Sequence, residues 1–182
     1  MPGSARSGIV FKEEQRFSGM LISFVVIGVS IFLIWLFVQG MIQQLYHGRP
    51  WGDRPMTDTM LWIVGMLFIL LSIALMYIFM TARLVTQVRV DGVYVRFIPF
   101  HRSFRRIPFD EMKSFKAVIY RPVMEYGGWG IRKNLKGTAY NVKGNRGVRI
   151  ELNNSKHLLL GSQKAGQLEN AMRRAAEAQK GE

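Results

Sequence analysis

The chain has 182 residues, of which 49% are apolar, and a formal net charge of +13. It contains no cysteine, which excludes a disulfide framework and any thiolate-held zinc or iron–sulfur centre. The length allows one modest domain beside whatever the apolar segments build.

Residues 1–16 read as a flexible tail: Pro, Gly and Ser first, then Lys12-Glu13-Glu14. Residues 17–82 read as a transmembrane helical hairpin. Residues 20–38 form a run of 19 without a charge, and residues 60–80 a run of 21. A bilayer core about 30 Å thick needs about 20 apolar helical residues to cross it, and both runs reach that length. The first run is longer than the apolar region of a secretory signal, and no small-x-small cleavage site follows it. Gly28, Ser30, Gly65, Ser72 and Ala74 are small residues that favour close helix approach. Neither run holds an ionisable residue, which argues against a pump or proton relay. Trp35 and Trp62 fall at the outer ends of the spans, Trp51 in the connecting loop and Tyr77 toward the inner end. All four read as membrane-interface anchors. The loop, residues 39–58, is compact by its Pro and Gly content.

Charge asymmetry sets the orientation. Residues 83–182 carry 20 Lys and Arg against 8 Asp and Glu, whereas in the loop Arg49 and Arg54 are balanced by Asp53 and Asp58. Positive flanks stay on the cytoplasmic side. The expectation is a multi-pass protein of the cytoplasmic (inner) membrane with both termini in the cytoplasm.

From residue 83 the period changes. Residues 84–90 alternate as a strand, Asp91-Gly92 signals a hairpin turn, and residues 93–97 return. Further strands are expected at 104–108, 114–120, 138–142, 147–152 and 156–160, with pairing around 121–137 left open. Ser162 is a candidate N-cap for a C-terminal helix whose apolar stripe is Leu168, Ala171, Met172, Ala175 and Ala176. Residues 83–178 therefore read as one cytoplasmic domain and 179–182 as a tail.

Short strands followed by one amphipathic helix resemble the pleckstrin-homology (PH) superfold. The chain is similar to uncharacterised bacterial proteins with two transmembrane helices and a cytoplasmic PH-like domain. The resemblance is carried by Arg106-Ile107-Pro108-Phe109-Asp110-Glu111-Met112, by Arg121-Pro122 leading to Glu125-Tyr126-Gly127-Gly128-Trp129-Gly130-Ile131-Arg132, and by residues 144–152 running to 159–163. In the loop, Gly48-Arg49-Pro50-Trp51-Gly52-Asp53 carries it too. It implies an α+β membrane protein: an N-terminal hairpin, then a PH-like antiparallel barrel or sandwich with a capping helix. It implies no activity.

Arg102, Arg105 and Arg106 form a basic cluster suited to phosphate headgroups, each contributing about 1 kcal/mol at an anionic leaflet. Trp129, Arg132 and Lys133 lie in or beside a glycine-rich stretch that lacks phosphate-loop spacing. They offer an aromatic anchor with two cations, against the plainer reading of a bend between strands. Lys133, Lys136, Lys143, Arg146 and Arg149 with Tyr140 and Trp129 would suit single-stranded nucleic acid by charge and stacking, but no nucleic-acid motif accompanies them. Asp110 and Glu111 read as charge balance for Arg105 and Arg106. No metal or catalytic constellation and no cofactor site is legible, and an enzyme is not expected. The expected function is a membrane-anchored binding or scaffold module that contacts anionic phospholipid or a protein partner. The alternative is an accessory or assembly subunit, or a homo-oligomer, that uses the hairpin as its main contact.

Overall fold

A computed structural model describes residues 8–17, 20–134 and 137–181. It divides into two compact units: the helical insert Gly19–Thr81, and a domain assembled from the chain on both sides of it.

In the insert, α1 (Met20–Met41) runs on into a π-helical turn (Ile42–Tyr46), and α2 (Asp58–Thr81) returns. Both helical segments are long and apolar enough to cross a membrane. Their apolar side chains mostly face outward: Phe24 is 69% exposed, Ile63 64% and Leu67 61%. A helix that is apolar on all sides and yet uncovered suits a lipid solvent. The inner seam is narrow. Ser30, Phe37, Leu61 and Ser72 are buried, Phe37 stacks on Phe68 at 5.0 Å, and a Cβ on Gly65 would lie 3.2 Å from the Met41 sulfur. Gly28 is not in the seam, since nothing lies within 4 Å of its Cβ position.

The connection is shorter than the expected loop, because helical structure persists to Tyr46. Gln43 and Gln44 fasten what remains. The Gln43 amide donates to Pro50 O (2.9 Å), and the Gln44 amide donates to Met56 O (2.7 Å) and to the Asp58 carboxylate (2.7 Å). Trp51 is seated over Gly40, where a Cβ would come within 2.5 Å of its indole ring. Gly40→Ala should therefore unseat this ring. In a chain with Trp35, Trp62 and Trp129 changed to Phe, we expect red-shifted Trp51 emission and stronger acrylamide quenching.

The second unit holds two sheets. The first has the order β1 (Ile9–Arg16), β2 (Arg83–Arg89), β3 (Gly92–Ile98), β4 (Arg105–Ile107), all antiparallel. The second contains β5 (Met112–Ile119), β6 (Gly130–Asn134), β7 (Gly137–Asn141), β8 (Arg146–Leu152) and β9 (His157–Gly161), in the order β5-β8-β9-β7-β6. A short helix, α3 (Pro122–Tyr126), lies between β5 and β6, and α4 (Ala165–Lys180) closes the chain. The inner faces of both sheets meet α4 in one core that includes Leu84, Val95, Ile107, Ile150, Leu168 and Met172. The fold class is α+β.

Several expectations need correction. Residues 9–16 of the expected tail form an edge strand, so the domain begins before the insert and residues 83–178 are not its whole extent; residues 1–7 lie outside the described residues. The Phe17 N–H donates to Ala82 O at 3.0 Å, which places both residues with the domain rather than the hairpin. The sheets are not wholly antiparallel, because β7 and β9 run parallel. The stretch left open at 121–137 supplies α3 and β6. At the other end α4 reaches Lys180, beyond the expected start of a tail at 179; Glu182 lies outside the described residues. Ser162 is not the helix N-cap. That position is Lys164, and Ser162 instead accepts the Lys164 N–H (3.0 Å) in the preceding turn.

The partner of Ser162 explains the place of β1. Its hydroxyl donates to Glu13 at 2.5 Å, and the Gln163 N–H donates to the other oxygen of the same carboxylate at 2.9 Å. Two residues along, the Gln15 amide donates to Gly161 O at 2.8 Å. Glu13 and Gln15 are both buried, so the strand ahead of the insert is bolted to the β9–α4 junction. Hydrogen bonds to a charged group are worth about 1.5–3 kcal/mol each when intact, and an orphaned buried donor costs about 1–3 kcal/mol. Glu13→Ala should lower domain stability by about 2–3 kcal/mol. Denaturant unfolding of the detergent-solubilised chain measures this, with Glu13→Gln losing less.

Candidate functional site

The β3–β4 connection folds back on itself through His101. Its backbone N–H donates to Phe97 O (2.7 Å), its ring Nδ1 accepts the Phe97 N–H (3.2 Å), and its carbonyl accepts Arg96 Nε (3.2 Å). The ring stands edge-on to Tyr140 at 5.7 Å. This turn delivers Arg105 to the Tyr140 hydroxyl, to which its guanidinium donates at 3.1 Å. Tyr140 is buried, so it holds the arginine but offers no face for a base to stack on. That removes Tyr140 from the stacking surface of the nucleic-acid alternative.

Alternation along β4 splits the arginine cluster. Arg105 pairs with the core residue Val95, and Arg106 pairs with Tyr94. Arg105 therefore faces the gap between the sheets, while Arg106 turns to the outer face and forms an ion pair with Asp91 at 3.1 Å. The expected balance of Arg106 by Asp110 or Glu111 is thus supplied by Asp91. The Tyr94 hydroxyl also donates to Asp91 (2.7 Å); burial, then this carboxylate, hold its pKa above the usual tyrosine range. Arg89 lies over the Tyr94 ring at 4.3 Å. Arg102 is exposed and makes no ion pair among the described residues.

The glycine-rich stretch is a bend. Gly127, Gly128 and Gly130 all have positive φ (70°, 116° and 117°), a region open to glycine. Trp129 is tied down there, its indole N–H donating to Gly144 O (3.0 Å), and Arg132 Nε donates back to Trp129 O (3.1 Å). Arg132 pairs with Ala139, and Lys133 pairs with Thr138. The two cations therefore point to opposite faces of the second sheet. Arg132 shares a face with Ala139, which packs in a smaller cluster with Tyr120 and Leu159, and Lys133 faces inward on the side of Thr138 and Tyr140. Of the second basic group, Arg149 is paired with Glu125 (3.0 Å), and Lys136 lies outside the described residues.

Arg105 and Lys133 thus converge on the gap between the sheets. Their joint effect is felt at His101, whose pKa is held below the ordinary 6.5 by burial, then by Arg105 and Lys133. Next to them, a cleft of about 190 Å³ opens between β4, β7 and the β8–β9 turn. Arg105, Arg106, Glu111, Thr138, Asn154 and Lys156 line it over an apolar floor that includes Ile107 and Leu158. Sequence reasoning did not single out Lys156, which reads simply as the start of a strand. Its place opposite Arg105 depends on the order β8-β9-β7. Among the described residues no group of His, Cys, Asp and Glu could hold a metal ion.

In the insert, Trp35, Trp62 and Tyr77 are exposed, whereas Trp51 packs edge-on to Phe37 at 6.0 Å.

Well above pH 6.5 His101 is neutral in both the folded and the unfolded chain. As pH falls through that value, the unfolded chain takes up a proton that the folded one resists, so stability declines. His101→Gln should lose less thermal stability than the parent chain between about pH 8 and about pH 5.

The chain matches, over residues 3–178, a family of unknown function (DUF6141), and it belongs to that family. No curated protein and no solved structure matches it.

Proposed function

We propose that this DUF6141 member is a membrane-anchored binding module of the bacterial inner membrane. In this reading α1 and α2 cross the bilayer, and a PH-like domain works at the cytoplasmic leaflet, contacting anionic phospholipid or a protein partner. The observation that carries the reading is an apolar, outward-facing helical pair inserted within a basic domain. The same helices in a soluble core would have their apolar side chains covered.

Strand pairing supports the topology independently of charge. Because β1 and β2 are neighbours in one sheet, the residues before and after the insert belong on the same side of any membrane, and the insert crosses it an even number of times. The excess of Lys and Arg in these flanks favours the cytoplasmic side. Two sheets packed on a shared core with a C-terminal helix support the PH-like reading. Nine strands among the described residues and a parallel pair are this chain's own departures from the expected antiparallel barrel.

Arg102 and Arg105 are exposed and make no ion pair among the described residues, so each would contribute about 1 kcal/mol at an anionic leaflet at low salt, whereas the charge of Arg106 is offset by Asp91. The test uses the full chain in nanodiscs of phosphatidylcholine, with and without phosphatidylserine. Hydrogen exchange across residues 99–106 should slow with anionic lipid at low salt and recover at moderate salt. The combined Arg102→Glu, Arg105→Glu and Arg106→Glu variant should abolish the difference. Identical exchange in both lipids would count against leaflet contact, and release of the chain from membranes by alkaline carbonate would count against the anchor itself.

A further inference from the structure

The second sheet is tied to the first along β1, through Glu13 and Gln15, whereas at the opposite edge β4 is only three residues long and leaves the cleft beside β7. Arg105 and Lys156 line this opening, and by strand register a third cation, Lys133, lies beside the cleft-lining Thr138. Arg105 lies on the inward side of β4 with Val95, Lys133 shares the face of Thr138, and Lys156 lines the cleft at the start of β9. None of the three has a carboxylate partner among the described residues. Five other cations of the domain are ion-paired: Arg83 with Glu14, Arg106 with Asp91, Lys113 with Glu151, Arg149 with Glu125 and Arg173 with Glu169. The one carboxylate lining the cleft is Glu111.

We propose that this cleft binds a phosphate monoester group, held by the Arg105 guanidinium, the Lys133 and Lys156 ammonium groups and the Thr138 hydroxyl. A guanidinium fork fixed by the buried Tyr140 hydroxyl is pre-organised, so little rotamer entropy remains to be lost on binding. Two ammonium groups and a hydroxyl add donors for the remaining oxygens of a tetrahedral anion, more than a planar carboxylate can use. The cleft volume far exceeds the roughly 10–15 Å³ that one water requires. Glu111 limits the positive balance, which suits a single phosphate rather than a polyanion. Burial lowers the His101 pKa first, and Arg105 and Lys133 lower it further.

The inference rests on the anion-facing reading of the domain, but its decisive residues, Lys133 and Lys156, lie outside the arginine triple that tests leaflet contact. The same chemistry has two sources: a lipid with a terminal phosphate, or a free phosphate ester. The full chain in phosphatidylcholine nanodiscs is titrated with inorganic phosphate, with chloride at matched ionic strength as reference, and followed by calorimetry and the His101 ring resonances. In parallel, discs containing phosphatidic acid are compared with discs of equal charge made with phosphatidylserine.

The expected result is saturable binding of phosphate, or selective perturbation of His101 by phosphatidic acid, weakened more than tenfold by combined Lys133→Gln and Lys156→Gln. Arg174→Gln, which removes one exposed charge on α4, should leave it unchanged. Phosphate binding assigns a free ester, and a response to phosphatidic acid alone assigns the lipid. Equal responses to phosphate and chloride, together with equal responses to the two lipids, would overturn the proposal, as would binding that survives the double variant. Should that variant unfold, protection of Lys156 from acetylation by saturating phosphate in the parent chain decides instead; no protection overturns the site.

Discussion

The domain depends on one buried carboxylate. Glu13 sits on an edge strand yet is taken out of water, a costly arrangement unless the charge is met by donors. The Ser162 hydroxyl and the Gln163 N–H meet it, and the Gln15 amide adds a neighbouring tie to Gly161 O. These bonds join the first strand of one sheet to the point where the other sheet hands over to α4. They fix how the sheets close on that side, and the short β4 leaves the cleft on the other. A charged residue thus sets a geometry that apolar packing alone would leave less specific, because buried hydrogen bonds demand one register whereas oil-like contacts tolerate several.

Much of the architecture was legible in the sequence because it rests on hydropathy and period. Two uninterrupted apolar runs marked the insert, alternation in residues 84–97 marked the β2–β3 hairpin, and the stripe from Leu168 to Ala176 marked α4. β1 was illegible for the reason that makes it important: its inward positions from 13 onward are Glu13 and Gln15, so the polar–apolar alternation that betrays a half-buried strand is absent. β6 escaped notice because Ile131 is its only large apolar residue, as befits an edge strand whose charges discourage further pairing. The extension of α1 to Tyr46 was hidden by Gln43 and Gln44, which look like loop residues and in fact bind the loop.

The candidate site was partly visible for similar reasons. Arg102, Arg105 and Arg106 stand out as a run, but a run of charge on a strand alternates between faces, and only Arg105 looks into the gap. Lys133 and Arg132 are adjacent in sequence and opposed in the sheet. Lys156 gave no signal, since its relation to Arg105 exists only once β9 is inserted beside β7. Residue type announced the chemistry, and strand order decided which of those residues could act together.

The split domain also sets a schedule. Glu13 leaves the ribosome 149 residues ahead of its partner Ser162. At roughly 5–20 residues per second, synthesis alone separates them by about 7–30 s. During that interval both helices of the insert are made, and β1 has no sheet to complete until β2 follows the second helix. The domain built around the insert can therefore mature only after both helices have been made. A chain interrupted before Ser162 would present an unpaired buried-type carboxylate and an unclosed core, features by which a cell's quality control distinguishes unfinished protein from finished.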